Sequence, residues 1–161
     1  MGQIQPLPRA RGDTYVIKGE IPADYTQHKI TLFDGQFDTA FRVVQFIIAP
    51  VAVANSSTQD YIAKISTDEI TSYSQPAGVW HWADNSEIGW ASARSFGVRE
   101  LQPMYALVDP ENLIIEDLWI SATTNDDAPD NMMNYMLVME KYKITQAEGT
   151  LTYIRNRGQN V

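Results

Sequence analysis

The sequence predicts an all-β domain, an antiparallel β-sandwich with an extended arm before it and one short helix after it. Three observations carry this expectation. Short runs rich in β-branched and aromatic residues recur between turn signals from residue 14 to residue 144. The first thirteen residues hold two prolines and two glycines and show no apolar periodicity. After residue 144 the apolar spacing changes from that of a strand to that of a helix. The boundaries follow: an arm over 1–13, a sandwich over 14–144, and a helix with its tail over 145–161.

Each element has its own justification. In the arm, Pro6 and Pro8 each remove a backbone donor, so no ladder of any length can form there. Thr14–Glu20 is a short β-branched strand that Pro22-Ala23-Asp24 breaks. Gln27–Phe33 follows, with Ile30 and Leu32 on one face, and Asp34-Gly35 is a turn signal. Phe41–Ala49 is longer and apolar on both faces, which predicts a central strand that Pro50 ends. A polar turn at Asn55–Thr58 leads to the strand Tyr61–Ser66. Residues 68–85 are loop-like but hold Trp80 and Trp82. Glu87–Ser92 is a strand whose alternation works only if a bulge intervenes at Gly89.

Met104–Val108 comes next, then Asp109–Asn112, a type I turn with Pro110 where its fixed φ is needed. Leu113–Ala122 is a strand, an acidic loop spans Asn125–Asn131, and Asn134–Ile144 is the last strand. About eight strands separated by turns are the signature of a sandwich or barrel. Thr145-Gln-Ala-Glu148 is then a capping box, with Ala147, Leu151 and Ile154 at helical spacing behind it. Arg155 and Arg157 suit the negative end of the helix dipole, and Gly158 is a natural stop. The spacing predicts a helix over 146–157, weakened by about 1 kcal/mol by Gly149 and Thr150.

Composition narrows the function classes. The chain has 161 residues, enough for one core, with 44% apolar and 20% charged residues. Twelve Lys and Arg stand against twenty Asp and Glu, a formal charge of -8, which disfavours direct contact with nucleic acid or anionic lipid. There is no cysteine, hence no disulfide, thiol nucleophile or thiolate metal site. No apolar run is long enough to span a bilayer, and the first residues lack the apolar core of a signal peptide.

Few residues nominate themselves as a site. His28 and His81 have no partner at ligand spacing. Asp126, Asp127 and Asp130 offer oxygens to a cation, but without the spacing of a known calcium loop; a solvated acidic loop is the preferred reading. No nucleophile with its base, no phosphate-cradling loop and no catalytic carboxylate pair can be named, so the expectation is a protein that is not an enzyme and needs no cofactor. Trp80 and Trp82 fall on one face of an alternating run, which suits a core or a ligand platform, and their exposure decides between the two. Arg11-Gly12-Asp13 matches a tripeptide of integrin ligands, a match too short to carry weight.

The two ends are the expected interface. Arg9 and Arg11 place positive charge on an arm attached to an acidic body, and Arg155 and Arg157 repeat the arrangement at the other end. Ile4, Leu7, Leu151 and Ile154 supply apolar groups for burial against partners. The arm has two possible docking sites, a neighbouring subunit or its own domain, and the charge pattern favours the neighbour.

Several phrases together resemble a known group. Phe37–Phe46, Glu87–Ala91, Asn112–Ser121, Asn134–Lys141 and Tyr153–Arg157 are similar to small structural proteins of marine bacteriophages. The resemblance spans most of residues 37–157 and carries no chemical motif. It implies a virion component (a decoration, minor capsid or vertex protein) of jelly-roll type. It also implies other copies of the chain and other capsid proteins as partners. The alternative is a spike or fibre module whose tryptophans read a host glycan or receptor.

Overall fold

The computed structural model describes residues 5–6, 14–32, 38–53, 58–71, 76–96, 100–124 and 131–157. Among the described residues nine strands form: β1 (Gln5–Pro6), β2 (Thr14–Pro22), β3 (His28–Thr31), β4 (Thr39–Pro50), β5 (Gln59–Ser66), β6 (Glu87–Phe96), β7 (Glu100–Val108), β8 (Asp117–Thr124) and β9 (Met132–Lys143). A 3-10 turn lies at Pro76–Gly78, and one helix, α1 (Gln146–Arg157), ends the described chain.

All ladders are antiparallel. One sheet is built on β9, with β2 on one side and β4 on the other; β1 continues the β2 side along Tyr142–Lys143. The second sheet runs β3-β8-β5-β6-β7. The pairs nest. β5 pairs with β6, β3 with β8 and β2 with β9, while β4 and β7 lie alongside each other without a ladder. A long hairpin rolled up in this way is the jelly roll. Its departure is that β7 stays hydrogen-bonded to β6.

The core lies between the two sheets, and bulges decide which residues reach it. The register of β4 on β9 shifts between Val43 and Gln45. Phe41 and Val43 therefore point inward before the bulge, and Phe46 and Ile48 point inward after it. This corrects the sequence reading of β4 as a strand with two apolar faces at the centre of its sheet. The apolar residues on both phases are one inward face interrupted by a bulge, and β9 is the central strand. Ile114 and Asn112 occupy the other edge of β4. Phe41 and Ile114 exchange two backbone hydrogen bonds of 2.7 Å. The Asn112 side chain accepts from Val43 N–H at 2.8 Å and donates to Val43 C=O at 2.9 Å, taking the place of a neighbouring strand.

Facing β4 across the core are Tyr61, Ala63 and Ile65 of β5 and Leu118 and Ile120 of β8, with Leu137 and Met139 from β9 beside it. Each fully buried Leu or Ile stabilises the fold by about 1.5–3 kcal/mol. The expected bulge in β6 is present one residue from its expected place: Gly89 pairs with Ile65 and Glu87 with Ser66, so Ile88 is the extra residue. A Cβ on Gly89 would sit 2.6 Å from Ile65 Cγ1. This glycine is required by close approach to the core.

Other boundaries moved. Pro22 is part of β2, which is tolerable because β2 is an edge strand and a missing donor there costs no ladder bond. β8 starts at Asp117, four residues later than the apolar run suggests, because Ile114 is committed to β4. A second buried cluster of Ala40, Ile115 and Ile144 lies at the start of β4 and just past the end of β9, where it pins the start of α1.

Candidate functional site

Two features stand out from the sandwich, and each is built by local chemistry. The first is the long connection between β5 and β6. Gly89 faces the core, so Trp90 faces the other side of the sheet, opposite Lys64 of β5. The connection folds back over that outer surface and buries both residues. Lys64 Nζ donates to Glu87 Oε1 at 2.6 Å and to the Val79 carbonyl at 2.7 Å. Glu87 Oε2 accepts from His81 N–H at 2.8 Å and from Trp90 Nε1–H at 2.9 Å. The Lys64 and Glu87 side chains are wholly withdrawn from solvent.

Burial pushes the Lys64 pKa below the usual lysine range, and the hydrogen bond to Glu87 partly offsets this. A buried ion pair of this kind is weak evidence for added stability, because two charges must be desolvated. Its clear effect here is geometric. It holds two backbone groups and one indole of the loop in place. Asp84 tightens the turn further: its Oδ1 accepts from Ser86 N–H at 2.9 Å and from Ser86 Oγ at 2.8 Å. On the approach to the loop, the Gln27 amide clasps Ile70, accepting from its N–H and donating to its carbonyl, both at 2.8 Å.

The loop so fixed displays Trp82, which is 62% exposed and leans on Trp90 with ring centroids 5.9 Å apart. Trp80 is only half-buried and packs on Tyr105 of β7 at 5.6 Å. The two indoles thus rest on different aromatic partners. Val79, Tyr105 and Leu107, each 38% exposed, add apolar surface around them. Lys64 and Glu87 were not nominated from the sequence. The only signal was a lysine inside an apolar strand and a glutamate at the start of another.

The second feature is α1. The capping box forms as the sequence predicts: Glu148 N–H donates to Thr145 Oγ1 at 3.2 Å, and the Glu148 carboxylate accepts from Thr145 N–H at 2.9 Å. These hydrogen bonds hold the Glu148 pKa below the usual carboxylate range. The helix begins where the sequence places it, yet its apolar face has no cover: Leu151 is 65% exposed and Ile154 57%. Arg155 and Arg157 occupy the last turn, with side chains outside the described set.

The remaining candidates are quickly placed. Ile4, Leu7, Arg9 and Arg11 lie outside the described residues, as do Asp126, Asp127 and Asp130. Of the arm, only Gln5–Pro6 is described, and it pairs with β9 of its own chain. Among the described residues no group of three or more His, Asp or Glu is placed to hold a metal ion. No described helix is long and apolar enough to cross a membrane.

No family model matches this chain, and no curated protein matches it. Among solved structures it is similar to a chain titled "Unassembled KI Polyomavirus VP1 Pentamer", at 8% identity and a TM-score of 0.37, covering 88% of this chain and 99% of that one. A likeness at this level carries no argument about function, and the fold assignment rests on the strand order itself.

Proposed function

We propose that this chain is a structural subunit of a bacteriophage virion, a capsid-associated decoration, minor capsid or vertex protein that acts through contacts between subunits. The observation that carries the reading is α1: a capped helix at the end of a jelly-roll sandwich, with its two large apolar side chains in solvent. Exposed Leu and Ile on an ordered helix mark a surface built to be covered. The work done is passive. Each contact is weak alone, and repetition around a closed shell multiplies it. The acidic body favours an outer position, away from packaged genome. Arm and helix both serve as contacts with other copies and with other capsid proteins.

Size-exclusion chromatography with light scattering tests this on the full chain and on variants lacking 1–13 or 146–161. Concentration-dependent assembly that shrinks on either deletion is expected. A chain that stays monomeric at all concentrations, alone and with the particle's other proteins, overturns the reading.

A second reading has its own observation. Trp82 stands in solvent on a loop fixed by a buried ion pair, which suits a platform for a host glycan or receptor. Quenching or a blue shift of tryptophan fluorescence on titration with host-surface glycans, abolished by Trp82→Ala, is the result this reading expects. No change with any glycan removes it.

A further inference from the structure

The pair buried beneath Trp82 is arranged for a reaction as well as for a clamp. We propose that Lys64 and Glu87 condense to an isopeptide bond joining β5 to β6, a self-modification of the folded chain. The inference goes beyond the subunit reading and does not depend on it. The amine, the carboxyl group and two donors for the oxygen that stays behind are all in place. Glu87 lies opposite Ser66, two residues along β5 from Lys64, so the two side chains share the outer face of the sheet. Lys64 Nζ touches Glu87 Oε1 at 2.6 Å, and the carboxyl carbon is one bond beyond that oxygen. The Val79 carbonyl, at 2.7 Å from Nζ, holds the amine against the carboxyl group. The other carboxyl oxygen, Oε2, is met by His81 N–H at 2.8 Å and Trp90 Nε1–H at 2.9 Å, within the range of an oxyanion hole. Both side chains are fully withdrawn from water.

Desolvation makes the neutral amine and acid available. Burial is the largest influence on Lys64 and acts against its ammonium form; Glu87 and Asp84 oppose it with smaller effects. A proton passing along the 2.6 Å contact from Nζ to Oε1 turns the ion pair into an amine beside a carboxylic acid. The Nζ lone pair then attacks Cδ, and charge develops on Oε2, where the two N–H donors stabilise it. The tetrahedral centre collapses by breaking the Cδ–Oε1 bond. Oε1 already carries one proton and takes a second from Nζ, so it leaves as water. One amide and one water replace one ammonium and one carboxylate, with no oxidant, reductant or further reactant. The product has no charge to keep out of water, whereas the ion pair holds two in a site without solvent. The same exclusion of water protects the new amide from hydrolysis. With no cysteine in the chain, no disulfide can link these strands, and this bond closes the β5–β6 connection in its place.

Intact-mass spectrometry of the full chain, purified folded and sampled over several days, tests this directly. A loss of one water, about 18 Da, is expected, in a fraction that grows until most of the chain has reacted. Tryptic digestion of the denatured product locates the bond. Lys64 is the only lysine or arginine between Arg42 and Arg94, and trypsin does not cut after an acylated lysine. Residues 43–94 should therefore come away as one peptide lacking a water, whereas an unreacted chain gives 43–64 and 65–94. Lys64→Arg, which keeps the positive charge and removes the amine, should keep the full mass. A folded wild-type chain that retains its full mass overturns the inference, and so does a water loss from a chain still cut after Lys64. The same loss in Lys64→Arg overturns it too. In each of these cases the pair remains an ionic clamp and the subunit reading is untouched.

Discussion

Replacing Lys64 by Met leaves the Glu87 carboxylate in a site with no solvent access. The remaining described donors are His81 N–H and Trp90 Nε1–H, at 2.8 and 2.9 Å. The Val79 carbonyl loses its 2.7 Å donor at the same time. Breaking a buried pair by removing one partner costs about 3–5 kcal/mol. For a domain of this size each kcal/mol lowers Tm by about 2–4 °C, so a fall of about 6–20 °C is expected. Adding Glu87→Gln removes the second charge and keeps an amide oxygen for the two loop donors. The double variant should therefore recover at least half of the loss, a coupling of about 2 kcal/mol or more. Urea unfolding followed by tryptophan fluorescence measures all three free energies and also reports whether Trp82 and Trp90 keep their environment. A single variant costing under about 1 kcal/mol, or a double variant costing the sum of its parts, refutes the argument that this pair is a desolvated clamp.

Asn112→Ala should destabilise by about 2–4 kcal/mol in the same assay, because Val43 N–H and C=O are each left buried without a partner. Gly89→Ala should cost about 1–3 kcal/mol by overpacking against Ile65; since the Ile65 side chain makes the clash, adding Ile65→Val should recover part of it. The capping box has a pH signature. Glu148 titrates lower when folded than in the unfolded chain, so its contribution is complete above the unfolded carboxylate range and disappears as pH falls through the lowered value. Helical ellipticity should drop over that acid window in the wild type, and Glu148→Gln should lack this limb.

Strands and helix were legible for different reasons. The helix was readable because its determinants are local: Thr145 and Glu148 lie three residues apart, and the side chain of each accepts from the other's backbone N–H. The sandwich was readable from alternation, though neither which strands neighbour which nor β4's place in its sheet was. In β4, one inserted residue moves the inward face from odd to even positions, so the run Phe41–Ile48 mimics a strand buried on both sides. The start of β8 misled for another reason. Asn112 and Ile114 are spent on the edge of β4, some seventy residues away in sequence, and nothing local announces it. The clamp beneath Trp82 was invisible on the same ground. Lys64 and Glu87 meet only because the loop folds over the outer surface of its own sheet, a fact of tertiary packing.

The nested pairing also sets the order of birth. β9 is the axis of one sheet, yet it is the last strand synthesised, and its partners β2 and β4 precede it by roughly a hundred residues. Until residue 143 leaves the ribosome, that sheet has flanks without a middle. Its closure depends on distant contacts and is correspondingly slow. The vacant slot between β2 and β4 is also the place where another extended polypeptide could insert by mistake.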